Sequence, residues 1–279
     1  MARVSRALRS YLENSRAIRR SYNNPLKKVE NLSRKDELEK QFYDREAEEC
    51  LTDFDAERFL YDEDEDMPLS HLHLYSLLRD VSGKKILDCC CGYGITSVRC
   101  AKRGASVMGI DVSPGMIDVA RKNAELNSVS DNIDLSVMSV QDMKLDSNTF
   151  DYAVGLGALH HLNLDLAGRE ISRVLKDGGT AIFLEPRIPF RWMVLLRSLF
   201  PNKCLESPGG GQLSDKEVRA FSRHFSSHSA DYFLLLRKLE RFPVLRRVSS
   251  TLDRCDHLLL DAFPGLRKLC WAFVLQFRK

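Results

Sequence analysis

With 279 residues, 44% of them hydrophobic and 29% charged, the chain can bury a complete α/β core and still has material for additions at both ends. Lysine and arginine (42) nearly balance aspartate and glutamate (39), so the net charge of +3 gives no argument for a polyanionic partner, and no stretch approaches the roughly twenty apolar residues that span a bilayer. Cys50, Cys100, Cys204, Cys255 and Cys270 form neither a Cys-x-x-Cys pair nor a secreted-scaffold spacing, which predicts free thiols in a reducing, cytoplasmic setting.

The basic opening, Ala2 to Arg9, lacks an apolar h-region and so does not read as a secretory signal. A solvated helix or frayed end is the preferred reading, with an organellar presequence or membrane-surface helix as alternatives. From Arg34 to Phe59, Leu38, Phe42, Tyr43, Ala47, Leu51 and Phe54 recur at three- and four-residue steps, the pattern of amphipathic helix. The run Asp62 to Asp66 is a loop whose like charges keep it in water.

Strands are predicted at Lys85–Cys90, Ser106–Asp111, Ile133–Met138, Thr149–Leu156 and Thr180–Glu185, and helices at Ile95–Arg103, Ser113–Leu126 and Leu164–Leu175. Such alternation means a mainly parallel, doubly wound sheet with right-handed crossovers and ligand at the carboxyl ends of the strands. The first strand ends in Asp88-Cys89-Cys90-Cys91-Gly92-Tyr93-Gly94, and about twenty residues on the second ends in Asp111. Glycines there let a polar ligand approach bare backbone, and a carboxylate at the second strand tip can accept both hydroxyls of a ribose. Adjacent strand residues point to opposite faces, so the triple cysteine cannot converge on one ion, and no metal is expected.

Beyond Glu185, Phe190–Phe200 reads as an apolar helix, Ser207–Gly211 as a break, and Ser214-Asp215-Lys216-Glu217 as a capping box for a short helix through Phe221. Two last strands are predicted near Tyr232–Leu236 and Trp271–Phe277, with helix over Arg241–Leu260 between them. Arg246, Arg247, Arg254, Arg267, Lys268, Arg278 and Lys279 accompany Leu258, Leu259, Leu260, Trp271, Phe273 and Phe277. Completing the sheet is the preferred use of these apolar residues, and peripheral contact with an anionic membrane surface is the alternative.

From Lys85 to Glu185 the chain resembles, motif by motif, the class I S-adenosylmethionine-dependent methyltransferases. Ile86–Gly94 lies on their first motif, with Cys90 in place of the first glycine. Asp111 matches the ribose acid, Val112 and Met116 the apolar neighbours of the adenine, and Gln141-Asp142-Met143 the third element. In that element the acid can accept the adenine amine and the methionine can face the ring. Phe150–Val154 resembles the fourth strand and Leu175–Gly179 the turn before the fifth. The resemblance implies a Rossmann-like, seven-stranded sheet with an antiparallel C-terminal hairpin, plus helical additions, and S-adenosyl-L-methionine as cofactor. Its implied contacts are Tyr43, Asp88, Cys90, Gly92, Gly94, Asp111, Val112, Met116, Gln141, Asp142, Met143 and Gly155. It also implies an organisation of four parts: residues 1–70 a helical extension with a cofactor-covering helix, 71–186 the cofactor core, 187–231 an acceptor-site lid or insertion, and 232–279 the last strands with their helix.

In related enzymes Phe42 and Tyr43 would cover the methionine end, and the loop Ala158-Leu159-His160-His161-Leu162 would face the methyl group. His161 is the leading base candidate, because an unperturbed imidazole accepts a proton near neutral pH. His160 and Glu185 are weaker candidates, and Glu185 has holding a loop amide as its alternative role. Asp151 is read as structural. The loop lacks the Asn- or Asp-Pro-Pro-aromatic turn of base-directed amino methyltransferases, so no nucleic-acid partner is expected. The expected acceptor is small or medium, an oxygen nucleophile on a metabolite, sugar or lipid-linked intermediate. A non-catalytic cofactor-binding protein and a nicotinamide-dependent oxidoreductase are the rivals, the latter disfavoured by Ser97 where a third glycine would fall. Oligomeric state is not encoded legibly.

Overall fold

The computed structural model describes residues 25–62, 67–187, 213, 215–236 and 248–279. The basic opening, most of the acidic run, the apolar helix at Phe190–Phe200 and the Ser207–Gly211 break lie outside the described residues.

Helix α1 spans Pro25–Thr52, followed by the short α2 (Ala56–Phe59) and by α3 (Leu69–Leu77). The core then alternates: β1 (Lys85–Cys89), α4 (Ile95–Lys102), β2 (Ser106–Asp111), α5 (Pro114–Leu126), β3 (Ile133–Val137), β4 (Phe150–Leu156), α6 (Leu164–Val174) and β5 (Leu175–Pro186). It closes with α7 (Asp215–Ser222), β6 (Ser227–Phe233), α8 (Ser249–Ala262) and β7 (Ala272–Arg278). The seven strands lie in the order β3-β2-β1-β4-β5-β7-β6; the pairs among β1 to β5 are parallel, and β7 runs antiparallel between β5 and β6. This is the doubly wound sheet with an antiparallel end that the alternation and the resemblance predict.

The two-residue period of the strands divides the core into two layers. Leu87, Ala153, Ala181, Phe183, Leu275 and Phe277 pack on one face with α6 and Phe221. Ile86, Val107, Val154, Ile182 and Val274 pack on the other with Leu74, Leu78 and Val98. Every one of these side chains is almost wholly withdrawn from water. Local signals set the helix starts: Ser113 caps α5, its hydroxyl accepting from the Met116 amide at 3.1 Å with Pro114 at the first turn, and Asn163 caps α6.

Two predicted strand starts move by several residues. The fifth strand begins at Leu175 rather than Thr180. Leu175 pairs with Phe150 and Thr180 with Tyr152, so residues 176–179 bulge out, with Gly178 at φ +75°. The sixth strand begins at Ser227, ahead of the predicted Tyr232. Its first residues Ser227, His228 and Ser229 are polar and exposed, as an edge strand tolerates, and so gave no apolar signal.

Candidate functional site at the carboxyl ends of the strands

The turn from β1 into α4 brings backbone to the ligand end of the sheet. Gly94 caps α4 at φ +73°, and a Cβ there would come within 2.9 Å of Ala120 on α5, so the turn needs glycine both for its dihedral and for close helix packing. Cys90 sits at φ +55°, where a side chain costs strain, and not in the ordinary strand conformation that its size would allow. Burial pushes the thiols of Cys89, Cys90 and Cys91 well above their usual range, so none is a ready thiolate.

Asp111, at the tip of β2, is 7% exposed. Its two oxygens accept from the Gly92 amide at 3.0 Å and the Ser113 amide at 3.0 Å. Burial raises its pKa, against the hydrogen bonds from the amides of Ser113, Gly92 and Val112. Each carboxylate oxygen has a second lone pair, so the residue that ties the turn to the next helix can also receive hydroxyls. The space over Gly92 is open: an added Cβ would meet nothing within 4 Å.

Other predicted contacts do different work. Asp88 lies beneath the turn, 1% exposed, and accepts from the Ser97 hydroxyl at 2.7 Å; burial raises its pKa to about 7. It braces the loop from below through Ser97. Met143 packs in the main core, and Met116 is covered by Ala47 of α1 and Phe59. Val112 is half-buried. Asp142 is exposed and paired with Lys144 at 2.8 Å. Gln141 is fully committed: its Nε2 donates to Asp36 at 3.0 and 3.1 Å, and its Oε1 accepts from the Asn163 amide at 2.7 Å. Gly155 is a packing position, since a Cβ there would meet the Phe183 ring at 2.8 Å. Asp151 accepts from the Lys85 amide at 3.0 Å and pairs with Lys176 at 2.8 Å, away from the ligand end.

Over these strand ends lies α1. Along one side of the helix Asp36 reaches Gln141, Glu39 and Tyr43 reach His161, and Asp44 accepts from the Ser113 hydroxyl at 2.5 Å and the Gly115 amide at 3.2 Å. Glu46 accepts from the Tyr93 hydroxyl. Burial pushes the Asp44 carboxyl up, but the Ser113 hydroxyl, the Gly115 amide and Lys40 outweigh it and hold it below its ordinary value. Phe42, half-buried, meets Tyr43 edge to face at 5.2 Å between ring centres. The acids of this helix escaped sequence reasoning, because charges on an amphipathic helix are assigned to solvent by default. Their signal was spacing: residues 36, 39, 43 and 46 advance by three and four, on the side already marked by Tyr43.

The loop after β4 places the histidines. Glu185, wholly buried on β5, accepts from the amides of Ala158 (2.9 Å) and Leu159 (2.7 Å) and lies 2.8 Å from His160 Nδ1. With both oxygens occupied below the surface it holds the loop, the alternative role read from the sequence. His161 Nδ1 lies 3.3 Å from Glu39 Oε2, and its Nε2 lies 3.3 Å from the Tyr43 hydroxyl. The two imidazole centres are 3.9 Å apart. A separate groove of about 260 Å³ between Lys85, Ser106, Asp134 and Thr149 opens at the amino ends of the strands, remote from this cluster.

Comparison with known proteins fits this arrangement. A family described as "Methyltransferase domain" matches residues 86–179. The chain is 33% identical over 184 residues to a demethylmenaquinone methyltransferase of Staphylococcus aureus, covering 63% of this chain and 68% of that protein. It is 33% identical over 122 residues to a ubiquinone biosynthesis O-methyltransferase of Methylocella silvestris, covering 41% of this chain and 46% of that one. The chain thus spans about half the length of several of the curated relatives it matches. Among solved structures, geranyl diphosphate C-methyltransferase of Streptomyces coelicolor superposes with a TM-score of 0.54 at 18% identity, over 76% of this chain and 79% of that one, a likeness of fold. With a buried acid at the second strand tip, the glycine turn beside it and a relative aligned over two thirds of its length, the chain belongs to the class I S-adenosylmethionine-dependent methyltransferases.

Proposed function

We propose that the chain binds S-adenosylmethionine at the carboxyl ends of β1 and β2 and directs methyl transfer to an oxygen nucleophile on a small or lipid-linked acceptor. The observation that carries this reading is Asp111, a buried carboxylate that braces the glycine turn at Gly92, over which the space is open, and whose oxygens each retain a lone pair. The donor set suits the cofactor: a carboxylate for ribose hydroxyls, the turn backbone for polar groups, and an aromatic residue, Tyr43, in the covering helix. Cys90 is the one departure in the turn. When bound, the cofactor supplies a methyl group already activated on a sulfonium, so the chain's own residues chiefly orient the acceptor and take its proton. We assign that role to His161, and its position in the loop after β4, under α1, supports the reading. An acceptor of quinone-precursor type is supported by the relatives named for demethylmenaquinone methylation and ubiquinone biosynthesis. No helix among the described residues is long and apolar enough to cross a membrane, so a lipid-linked acceptor would be met at a surface. We further assign the region after β5 to shaping the acceptor site, because β5 ends beside the histidine loop.

The test is calorimetric titration with S-adenosylhomocysteine and, in parallel, NAD. Saturable binding of the first alone is expected. Binding of NAD alone, or of neither by folded protein, would overturn the reading; binding without turnover across phenols, sugars and quinols would favour a non-catalytic role.

A further inference from the structure

We propose that Glu39 sets the tautomer of His161, so that helix α1 supplies half of the base it covers. The inference rests on the reading of His161 as proton acceptor and concerns what makes it one.

Glu39 Oε2 lies 3.3 Å from His161 Nδ1, at ion-pair distance but off the line of a hydrogen bond; a carboxylate has no hydrogen to give, so when the pair tightens over bound ligand the shared hydrogen belongs to the imidazole. Nδ1 then carries the proton of the neutral ring and Nε2 carries a lone pair. Nε2 faces the Tyr43 hydroxyl at 3.3 Å, which donates to it. His160 shows the tightened form of such a contact, its Nδ1 hydrogen-bonded to Glu185 at 2.8 Å. The two carboxylates differ in origin. Glu185 belongs to the sheet, is wholly buried and also holds two loop amides, so His160 is fixed whenever the sheet is folded. Glu39 comes from α1, 122 residues before His161 in sequence, and reaches the ring only when that helix lies over the strand ends. The pair Glu39–His161 is therefore completed by closure of the site.

The same geometry bears on the acceptor. An acceptor hydroxyl must take the place of the Tyr43 hydroxyl at Nε2, a position that a hydroxyl on a flat aromatic ring already reaches. A phenol or enol hydroxyl fits that place. Its O–H bond breaks toward Nε2 while the oxygen keeps the electron pair, and the ring, now protonated at both nitrogens, faces the Glu39 carboxylate. Glu39 is thus a positioning residue, acting through His161.

The experiment is nitrogen-15 NMR of histidine-labelled full-length protein at pH 8, with and without S-adenosylhomocysteine, the His161 signals being assigned by their loss in His161→Gln. Wild type should show His161 protonated at Nδ1. Glu39→Gln, which retains an oxygen acceptor, should keep that preference. Glu39→Leu should move the tautomer ratio about tenfold or more toward Nε2, the equivalent of one hydrogen bond to a charged group. His160 should not change in either variant. A wild-type His161 protonated at Nε2, which needs no variant to detect, would overturn the proposal, and so would an unaltered ratio in Glu39→Leu. Failure of wild type to bind S-adenosylhomocysteine would strike the methyltransfer reading instead, and the ligand-free spectra would still decide the pairing of Glu39 with His161.

Discussion

Strand β5 and helix α1 each hand a carboxylate to the paired histidines, and the two deliver it by different physics. Glu185 is carried by a strand whose Phe183 and Ile182 are wholly buried in the two core layers. Glu39 is carried by a helix whose contacts near the site are largely polar: Asp36 with Gln141, Asp44 with Ser113 and Gly115, Glu46 with Tyr93. Burial of apolar area is worth far more per residue than exchange of water for protein hydrogen bonds. The sheet is accordingly the floor of the site and the helix its roof, held by these polar contacts and by Ala47 packed with Met116. The two regions also answer to pH with opposite sign, as Asp88 and Asp44 show below.

The sharpest break of this contrast is Phe183→Ala. Loss of a large, fully buried ring should cost about 3–5 kcal/mol of global stability by denaturant unfolding. A change near 1 kcal/mol would mean that the floor is looser than its burial implies.

Asp88 comes next. Its native pKa is raised by burial to about 7 from 3.8, so between those values the folded protein keeps a proton that the unfolded chain has released. Stability from this group is complete below about pH 4 and is lost as pH rises through 7. Asp88→Asn retains an acceptor for Ser97 and should remove that slope, exceeding wild type at pH 8 by up to roughly 4 kcal/mol, at about 1.4 kcal/mol per pKa unit, and converging with it near pH 4. Parallel stability curves for the two proteins would refute the assignment.

On the roof the sign reverses. Asp44 has a lowered pKa, so its contribution is present above the unfolded value of 3.8 and fades as pH falls toward the native one. Asp44→Ala should cost only about 1 kcal/mol globally, yet speed hydrogen exchange along α1 while leaving the exchange of β1 to β5 unchanged. Uniform acceleration across the sheet would erase the distinction between floor and roof.

The smallest effect belongs to Cys90. Its left-handed φ costs roughly 1–2 kcal/mol, and glycine returns about 0.5–1 kcal/mol of that as extra freedom of the unfolded chain. Cys90→Gly should therefore stabilise by less than about 1 kcal/mol, and should not weaken binding of S-adenosylhomocysteine.

What was legible in the sequence follows the same division. The floor was readable because its signals are local: the two-residue period of Ile86 and Leu87, the Ser113 and Asn163 caps, and the spacing from Gly92 to Asp111 are each decided within a few residues or one βαβ unit. The roof was readable as an amphipathic helix, and Tyr43 stood out because an aromatic residue is conspicuous. Glu39, Asp44 and Glu46 did not, because their partners lie from 47 to more than 100 residues away and a charged helix residue alone looks like solvent contact. Met143 and Asp142 differ in burial in a way spacing does not reveal. They are neighbours in a motif, but one packs in the core and the other points to water, which spacing cannot decide without the loop's path. Gly155 matched a ligand position, although the reason for its missing side chain is Phe183 on the next strand.

The central claim is that floor and roof enclose one site. Hydrogen exchange with and without saturating S-adenosylhomocysteine tests it most directly. The account predicts that the ligand slows exchange together in the turn around Gly92, in the loop holding His161, and along α1 from Asp36 to Ala47. Slowing of the turn and loop with α1 unchanged would contradict it, leaving the helix a bystander and His161 without its carboxylate.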